Sequence, residues 1–188
     1  HLTDNFGRRF AYVRLSVTEV CNFRCTYCLP DGWKKSGPLG FLTPGEIGNL
    51  VRGLAAVGVS KVRLTGGEPS VRKDLTEIIG TIAAIRGIGK VAMTTNGWNL
   101  DRMAGAWRQA GLTHLNISVD SLDRDTFRDI TGHDKLSCVL EGVEEAMQLG
   151  FSAVKPNAVL VKQTAEAGFQ SWADFVRHRP VAVRFIEL

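Results

Sequence analysis

The sequence of 188 residues lacks the features of a membrane or secreted protein. No apolar run comes near the ~20 residues that a membrane-spanning helix needs, and no signal peptide opens the chain. Low-complexity segments and repeats of fixed period are also missing. Hydrophobic residues make up 44% of the chain and charged residues 22%, which is ordinary for a globular domain. We therefore expect residues 1–188 to form one domain of a cytoplasmic protein.

Long runs of one charge are missing as well. The 23 Lys and Arg residues against 19 Asp and Glu give a net charge of +4, but the longest basic run is a pair, as at Arg8–Arg9. Proteins that bind nucleic acids concentrate basic residues in a run or along one face of a helix. We therefore expect no nucleic-acid partner, and we interpret most of these charges as solvated surface.

Cysteines are few, and three of the four lie within eight residues. These three are Cys21, Cys25 and Cys28. Disulfides are not expected without a secretory context, and no fourth cysteine nearby completes a structural zinc site. Three thiolates at spacings of four and three residues fit three corners of a [4Fe–4S] cluster, which leaves one iron open. The alternative is a zinc site whose distant fourth ligand is His114 or His133. The isolated Cys138 is interpreted as a core residue of a helix.

Short β-branched runs alternate with longer helical stretches along the chain. This alternation is typical of parallel β/α units, and it predicts an α/β fold with an open, partial (β/α)6 barrel. The predicted strands are 12–17, 61–65, 91–95, 114–119, 153–160 and 181–187. Pro156 predicts an edge or bulge in the fifth strand, beside Lys155. The predicted helix starts are Thr43 and Asp74, each with Glu three residues later, then Asp101, Asp123, Lys135 and Ser171.

Polar side chains share one face of several predicted strands. Arg14 lies on such a face of the first strand, and Lys61 and Arg63 lie on the equivalent face of the second. The outer face of a β/α barrel lies beneath helices and must be apolar, so the polar face points inward. Inward cations predict a cavity that accepts an anion. The alternative is a set of buried ion pairs with Asp120 and Glu68.

The cysteines and a glycine pair together resemble a known family. The segment CNFRCTYC at 21–28 follows the first predicted strand, and GGEP at 66–69 follows the second. Adjacent glycines let the backbone approach a ligand, or merely make a turn. The combination is similar to the radical S-adenosylmethionine (SAM) superfamily, in which three cysteines hold a [4Fe–4S] cluster whose open iron binds SAM. The resemblance implies a 5′-deoxyadenosyl radical as the reactive species. The implied SAM contacts are Tyr27, Gly66, Gly67, Glu68, Pro69 and Ser118.

Further blocks resemble one family within this superfamily, the GTP 3′,8-cyclases of molybdenum cofactor synthesis. They are DNFGR at 4–8, RLSVT at 14–18, TTNG at 94–97, NISVDSLD at 116–123 and RFIE at 184–187. The resemblance implies a radical SAM lyase that converts GTP to (8S)-3′,8-cyclo-7,8-dihydroguanosine 5′-triphosphate. The implied GTP contacts are Arg14, Lys61, Arg63, Thr94, Lys155 and Arg184.

The same resemblance implies partners and a missing region. The partners are an electron donor, either a reduced flavodoxin-like protein or a chemical reductant, and the next enzyme, cyclic pyranopterin monophosphate synthase. The family continues beyond the equivalent of Leu188 into a region with its own cysteine cluster, so we expect a catalytic core alone. The open side of such a barrel predicts association as a homodimer. The alternative functions are another radical SAM enzyme acting on a peptide or small molecule, and a non-catalytic iron–sulfur-binding fragment.

Overall fold

The computed structural model describes residues 2–37, 40–166 and 168–187, in which six parallel strands form one sheet. In chain order, which is also their order in the sheet, the strands are β1 (Tyr12–Ser16), β2 (Lys61–Thr65), β3 (Lys90–Thr95), β4 (His114–Ser118), β5 (Ala153–Val159) and β6 (Arg184–Ile186). The predicted open, partial barrel is confirmed. The sixth strand is shorter than predicted, because it pairs with only three residues at the end of β5.

Helices connect the strands and cover the apolar face of the sheet. They are α1 (Pro44–Ala56), α2 (Leu75–Ala83), α3 (Leu100–Gln109), α4 (Arg124–Thr131), α5 (Leu136–Gln148), α6 (Lys162–Glu166) and α7 (Gln170–Arg177), with a 3-10 turn at Pro69–Val71. The short α6 was not predicted. Within the described ranges, no helix has the length and apolarity to cross a membrane.

The predicted starts at Thr43, Asp74, Asp123 and Lys135 are the N-cap positions of their helices, whereas Asp101 and Ser171 lie inside the first turn; only Thr43 and Asp123 cap with a side-chain bond. Thr43 and Glu46 form the predicted capping box of α1, with the Thr43 N–H donating to the Glu46 carboxylate at 2.8 Å. Asp74 makes no side-chain cap bond, because its carboxylate accepts from the Arg72 guanidinium at 2.8 Å. Ser171 lies within the first turn of α7 and does not cap it.

The hydrophobic core lies between the outer face of the sheet and these helices. Strand residues such as Val62, Leu64 and Leu115 are fully buried there, together with Ile78 of α2 and Trp107 of α3. The inner face carries the polar side chains of the same strands, as the alternation predicted. The sheet therefore has one face for packing and one face for ligands.

Pro156 lies in a regular part of β5. It is opposite Ile117 in an unbroken register with β4. The Asn157 carbonyl accepts from the N–H of Val119, which directly follows β4, so by alternation the backbone of Pro156 faces β6. Because β6 pairs only from Asn157 onward, the missing N–H of Pro156 costs no ladder bond. The predicted bulge does not form in β5, and Lys155 keeps its place on the inner face.

Candidate active site

The three clustered cysteines line one cavity, which we call the cysteine cavity. It has a volume of about 270 Å³, and Cys21, Cys25 and Cys28 meet residues from the carboxyl ends of β2, β3, β4 and β5 there. These strand ends are where β/α barrels carry their active sites. Cys138 lies on α5 instead, where its S–H donates to the Trp98 carbonyl oxygen at 3.6 Å.

The segment 21–28 that carries the three cysteines, which we call the cysteine loop, is held against the end of α4. Two of its backbone N–H groups, those of Arg24 and Thr26, donate to α4 carbonyl oxygens at 3.2 and 2.9 Å. Phe23 is buried between the cysteines, and its ring stacks on that of His133 with centroids 5.2 Å apart. His133 is therefore a packing partner of the loop.

The three thiols are not arranged to hold a single metal ion together. Among residues 2–37, 40–166 and 168–187, no group of three His, Cys, Asp or Glu side chains is arranged to hold one ion. In a cubane, each thiolate binds a different iron, so the sulfurs stand farther apart than ligands of one ion do. His114 begins β4, at the end of the strand remote from the cysteines. The zinc alternative is therefore not supported.

Burial controls the chemistry of these thiols. Burial, together with Asp120 and the thiols of Cys21 and Cys28, raises the pKa of Cys25 to about 12. Burial also raises the pKa of Cys21. The thiolate is the form that binds metal, so loading these half-buried positions must release protons.

The glycine pair is required by the packing of the cysteine loop. A Cβ on Gly66 would lie 2.2 Å from the Thr18 carbonyl oxygen, and one on Gly67 would lie 2.3 Å from that of Val20. The Gly67 and Glu68 N–H groups donate to these two oxygens, each at 2.8 Å. Gly67 also lines the cysteine cavity. The close approach that the sequence indicated is therefore to the loop backbone itself.

Replacing Gly66 by Ala is expected to destabilise the protein. The Gly66 φ of +149° is one that other residues rarely adopt, and the strain alone costs about 1–3 kcal/mol. The control is Gly53→Ala within α1, where a Cβ meets no atom within 4 Å and helix propensity favours Ala by about 0.5–1 kcal/mol. Urea unfolding measures both changes. Wild-type stability in Gly66→Ala would contradict the packing role.

Glu68 is a buried carboxylate whose oxygens are used within the protein. It accepts from the Thr95 hydroxyl and from the Asn96 N–H, each at 2.6 Å, and from the Ser70 N–H at 2.9 Å. Burial raises the pKa of Glu68, and these donors oppose that shift. The carboxylate therefore links the end of β2 to the end of β3 beneath the cysteine cavity.

Asp120 is a second buried carboxylate in this region. The Tyr27 hydroxyl donates to its Oδ2 at 2.7 Å, and the Val159 N–H donates to its Oδ1 at 2.9 Å. Burial raises the pKa of both Asp120 and Tyr27. In the described part of the chain, no salt bridge involves Asp120 or Glu68, so the predicted ion-pair alternative is not observed.

A second cavity of about 530 Å³ adjoins the first, and we call it the cationic cavity. The two cavities share Thr94, Ser118, Asp120 and Val159 as lining residues. The cationic cavity is also lined by Arg14, Lys61, Arg63 and Arg184. Of the six predicted GTP contacts, only Lys155 does not line this cavity within the described residues. Lys155 is nevertheless close enough to lower the pKa of Lys61.

Tyr12 organises the cations of this cavity. Its hydroxyl accepts from Arg63 Nε at 2.9 Å, and Lys61 Nζ lies 4.8 Å from the centroid of its ring. Arg63 is 9% exposed, and its Nη1 also donates to the Thr94 hydroxyl at 3.2 Å. Burial, followed by the neighbouring cations, lowers the pKa of Lys61. Within the described ranges no carboxylate forms a salt bridge with these cations, so the cavity favours an anionic ligand. Sequence reasoning did not include Tyr12 or Asp120 in the site, although Tyr12 lies on the polar face of β1 and Asp120 lies just after the end of β4.

Proteins of similar sequence carry one name. The chain is 57% identical over 187 residues to a protein of Stenotrophomonas maltophilia (strain K279a) named GTP 3′,8-cyclase. It is 51% identical over 187 residues to one of Vibrio atlanticus (strain LGP32) with the same name. These matches cover 100% and 98% of this chain, but 57% and 56% of the relatives. The chain therefore spans just over half the length of these curated relatives.

Solved structures and a family model agree on the fold. Streptococcus suis SuiB bound to precursor peptide SuiA has a TM-score of 0.79 at 17% identity, over 94% of this chain and 39% of that one. Methylornithine synthase has a TM-score of 0.71 at 18% identity, over 97% and 55%. The family model described as the radical SAM superfamily matches residues 15–176. The chain therefore belongs to the radical SAM superfamily, whose cofactors are a [4Fe–4S] cluster and S-adenosylmethionine.

Proposed function

We propose that this chain is the catalytic core of a GTP 3′,8-cyclase, a radical SAM lyase that converts GTP to (8S)-3′,8-cyclo-7,8-dihydroguanosine 5′-triphosphate. The observation that carries the proposal is the junction between the cysteine cavity and the cationic cavity, which share four lining residues. Relatives with this name, 51–57% identical over almost the whole chain, support it. In this proposal residues 1–188 form the radical SAM core domain.

The cofactor side of the proposal assigns roles to residues of the cysteine cavity. Cys21, Cys25 and Cys28 hold the cluster, while Tyr27, Ser118 and the segment 66–69 contact SAM. When bound together, these cofactors supply a 5′-deoxyadenosyl radical that takes a hydrogen from the GTP ribose. The chain itself contributes a largely buried wall around them. Glu68 shapes this wall through its bonds to Ser70, Thr95 and Asn96.

The substrate side assigns the triphosphate to the cationic cavity. Charge-assisted hydrogen bonds to phosphate are stronger than neutral ones, and the planar guanidinium group suits them. The proposed GTP contacts are Arg14, Lys61, Arg63, Thr94, Lys155 and Arg184. A bound triphosphate would relieve the mutual repulsion that helps to lower the pKa of Lys61. The shared wall would place the ribose next to the SAM site, where hydrogen transfer and closure onto guanine C8 occur.

The partners follow from the same proposal. A reduced flavodoxin-like protein, or a chemical reductant, supplies the electron. Cyclic pyranopterin monophosphate synthase takes the product. We further propose a cytoplasmic protein that associates as a homodimer through the open side of the barrel, where Phe185 and Ile186 of β6 are exposed.

Anaerobic reconstitution, followed by reduction with dithionite in the presence of SAM and GTP, tests the proposed function. This chain spans just over half the length of its named relatives. It is therefore expected to release 5′-deoxyadenosine without a matching amount of cyclised nucleotide. Ring closure needs ribose and guanine held at reacting distance, and misplacement by about 1 Å can cost roughly a hundredfold. Chromatography gives the ratio of the two products.

The two outcomes that contradict this prediction are distinct. A product ratio near one would show that residues 1–188 position the guanine unaided. An iron-loaded protein that releases no 5′-deoxyadenosine would contradict the assignment as an enzyme and favour the iron–sulfur-binding fragment.

A further inference from the structure

Asp120 joins the cysteine loop to the segment that contains β5 and α6. Its Oδ2 accepts from the Tyr27 hydroxyl at 2.7 Å, and its Oδ1 accepts from the Val159 N–H at 2.9 Å. Its main-chain carbonyl accepts from the Thr164 hydroxyl of α6 at 2.9 Å. Asp120 and Thr164 are each only 1% exposed. Three segments that are distant in sequence therefore meet at one buried residue.

The position of Asp120 relates these bonds to both cavities. Tyr27 lies next to Cys28 in the chain and lines the cysteine cavity, whereas Asp120 and Val159 line both cavities. A buried carboxylate is stable only when it is paired or hydrogen-bonded. Here the hydrogen bonds from Tyr27 and Val159 satisfy it, since no salt bridge of the described residues includes it.

The bond to Asp120 gives a role to the hydroxyl group of Tyr27 in the cysteine loop. An aromatic ring alone would suffice to pack at this position, but the hydroxyl fixes where the ring lies. The bond spans 93 positions of the chain, so it ties a loop residue to the sheet. Without it, the ring would be held by packing and by the contact of its hydroxyl with the Cys25 thiol, which belongs to the same partly exposed loop.

We propose that Asp120 is a positioning residue for SAM binding. Its carboxylate fixes the Tyr27 ring on the SAM side and fixes Val159 in the wall that separates SAM from the substrate. The inference rests on the proposed function, because it assumes that Tyr27 contacts SAM. Asp120 itself acts through Tyr27 and holds no cofactor atom.

A double-mutant cycle tests this role. Asp120→Asn keeps an oxygen for the Val159 N–H, but it replaces the charged acceptor of the Tyr27 hydroxyl with an amide donor, so the charge-assisted bond is lost. Tyr27→Phe removes that hydroxyl alone. We expect each variant to bind SAM about tenfold more weakly than the wild type, the order expected for a lost hydrogen bond to a charged group. The double variant is also expected to lose about tenfold, and not about a hundredfold, because both changes remove one interaction.

Binding is measured by equilibrium dialysis of SAM against the reconstituted protein without reductant, after the iron content of each variant has been matched. The control is Thr164→Val, which removes the bond to the Asp120 carbonyl and leaves the carboxylate intact. It is expected to lower the urea midpoint while the SAM affinity remains within about twofold of the wild type. If Asp120 had only a structural role, Asp120→Asn and Thr164→Val would have similar effects on the urea midpoint and on the SAM affinity.

Several results would overturn the inference. These are wild-type affinity in Asp120→Asn, additive losses in the double variant, or a loss in Thr164→Val equal to that in Asp120→Asn. If Asp120→Asn does not fold, Tyr27→Phe decides, and an unchanged SAM affinity there overturns the role. An iron-loaded wild type that binds no SAM would instead contradict the proposed function, and this outcome is recognised because the wild type itself fails.

Discussion

Replacing Cys25 by Ser is expected to remove most of the iron from the anaerobically reconstituted protein. A cubane cluster gives the wild type about four irons per chain. Cys25 lies in the cysteine cavity with the two other thiols, and losing one leaves the cluster with two thiolate ligands. A serine hydroxyl binds iron poorly by comparison, because it is harder to deprotonate and is not a soft ligand. Iron assay and the visible absorption of the cluster measure the loss.

The matched control is Cys138→Ala, which also removes one thiol. Cys138 lies on α5 and donates to the Trp98 carbonyl, so the iron content is expected to stay at the wild-type level. Loss of iron in Cys138→Ala would contradict the assignment of the ligands. Tetrahedral zinc in the wild type, without iron, would contradict the cluster itself.

Replacing Arg63 by Ala is expected to weaken GTP binding by about 10- to 100-fold. Hydrogen bonds to charged groups contribute roughly 1.5–3 kcal/mol, and about 1.4 kcal/mol corresponds to a tenfold change in affinity. Arg63 is buried at the base of the cationic cavity, where Tyr12 and Thr94 fix its guanidinium. Arg63→Lys should recover only part of the affinity, because an ammonium group cannot reproduce the planar fork. Nucleotide titration of the reconstituted protein measures each affinity.

A charge-matched control separates local binding from the general attraction between a basic protein and an anion. Arg86 is exposed and lines a separate groove between α1 and α2. Arg86→Ala removes the same charge, and GTP affinity should change by less than about twofold, since exposed charges are screened by solvent and salt. Equal GTP affinity in the wild type and Arg63→Ala would count against the proposed triphosphate site.

The features that could be predicted from the sequence depend on local patterns. The alternation of Lys61 and Arg63 with apolar neighbours identified both the strand and its polar face. The capping box at Thr43 identified the start of α1 because its two bonds join residues three apart. The positions of the cysteines after β1 and of the glycine pair after β2 are fixed by the order of the chain. Parallel strands then bring their carboxyl ends to the same edge.

The features that could not be predicted depend on contacts between distant segments. Asp74 has the spacing of a helix cap, but the Arg72 guanidinium competes for its carboxylate. Gly66 has the form of a ligand-binding or turn residue, and only the tertiary fold shows that Thr18 occupies the space beside it. Asp120 entered the sequence analysis only through the alternative of buried ion pairs, and its actual partner is Tyr27, 93 positions away. Patterns of a few residues carry no information about such pairs.

The sequential strand order also affects how the protein matures during synthesis. Each strand pairs with the one made just before it, so the sheet can grow by one edge as the chain leaves the ribosome. The cysteine loop is made early, but its anchors at Asp120 and at the end of α4 come about a hundred residues later. At about 5–20 residues per second, this interval lasts roughly 5–20 seconds. During it the cysteine loop lacks both of these anchors, so we expect iron delivery to the nascent chain to succeed only after residue 131 has emerged.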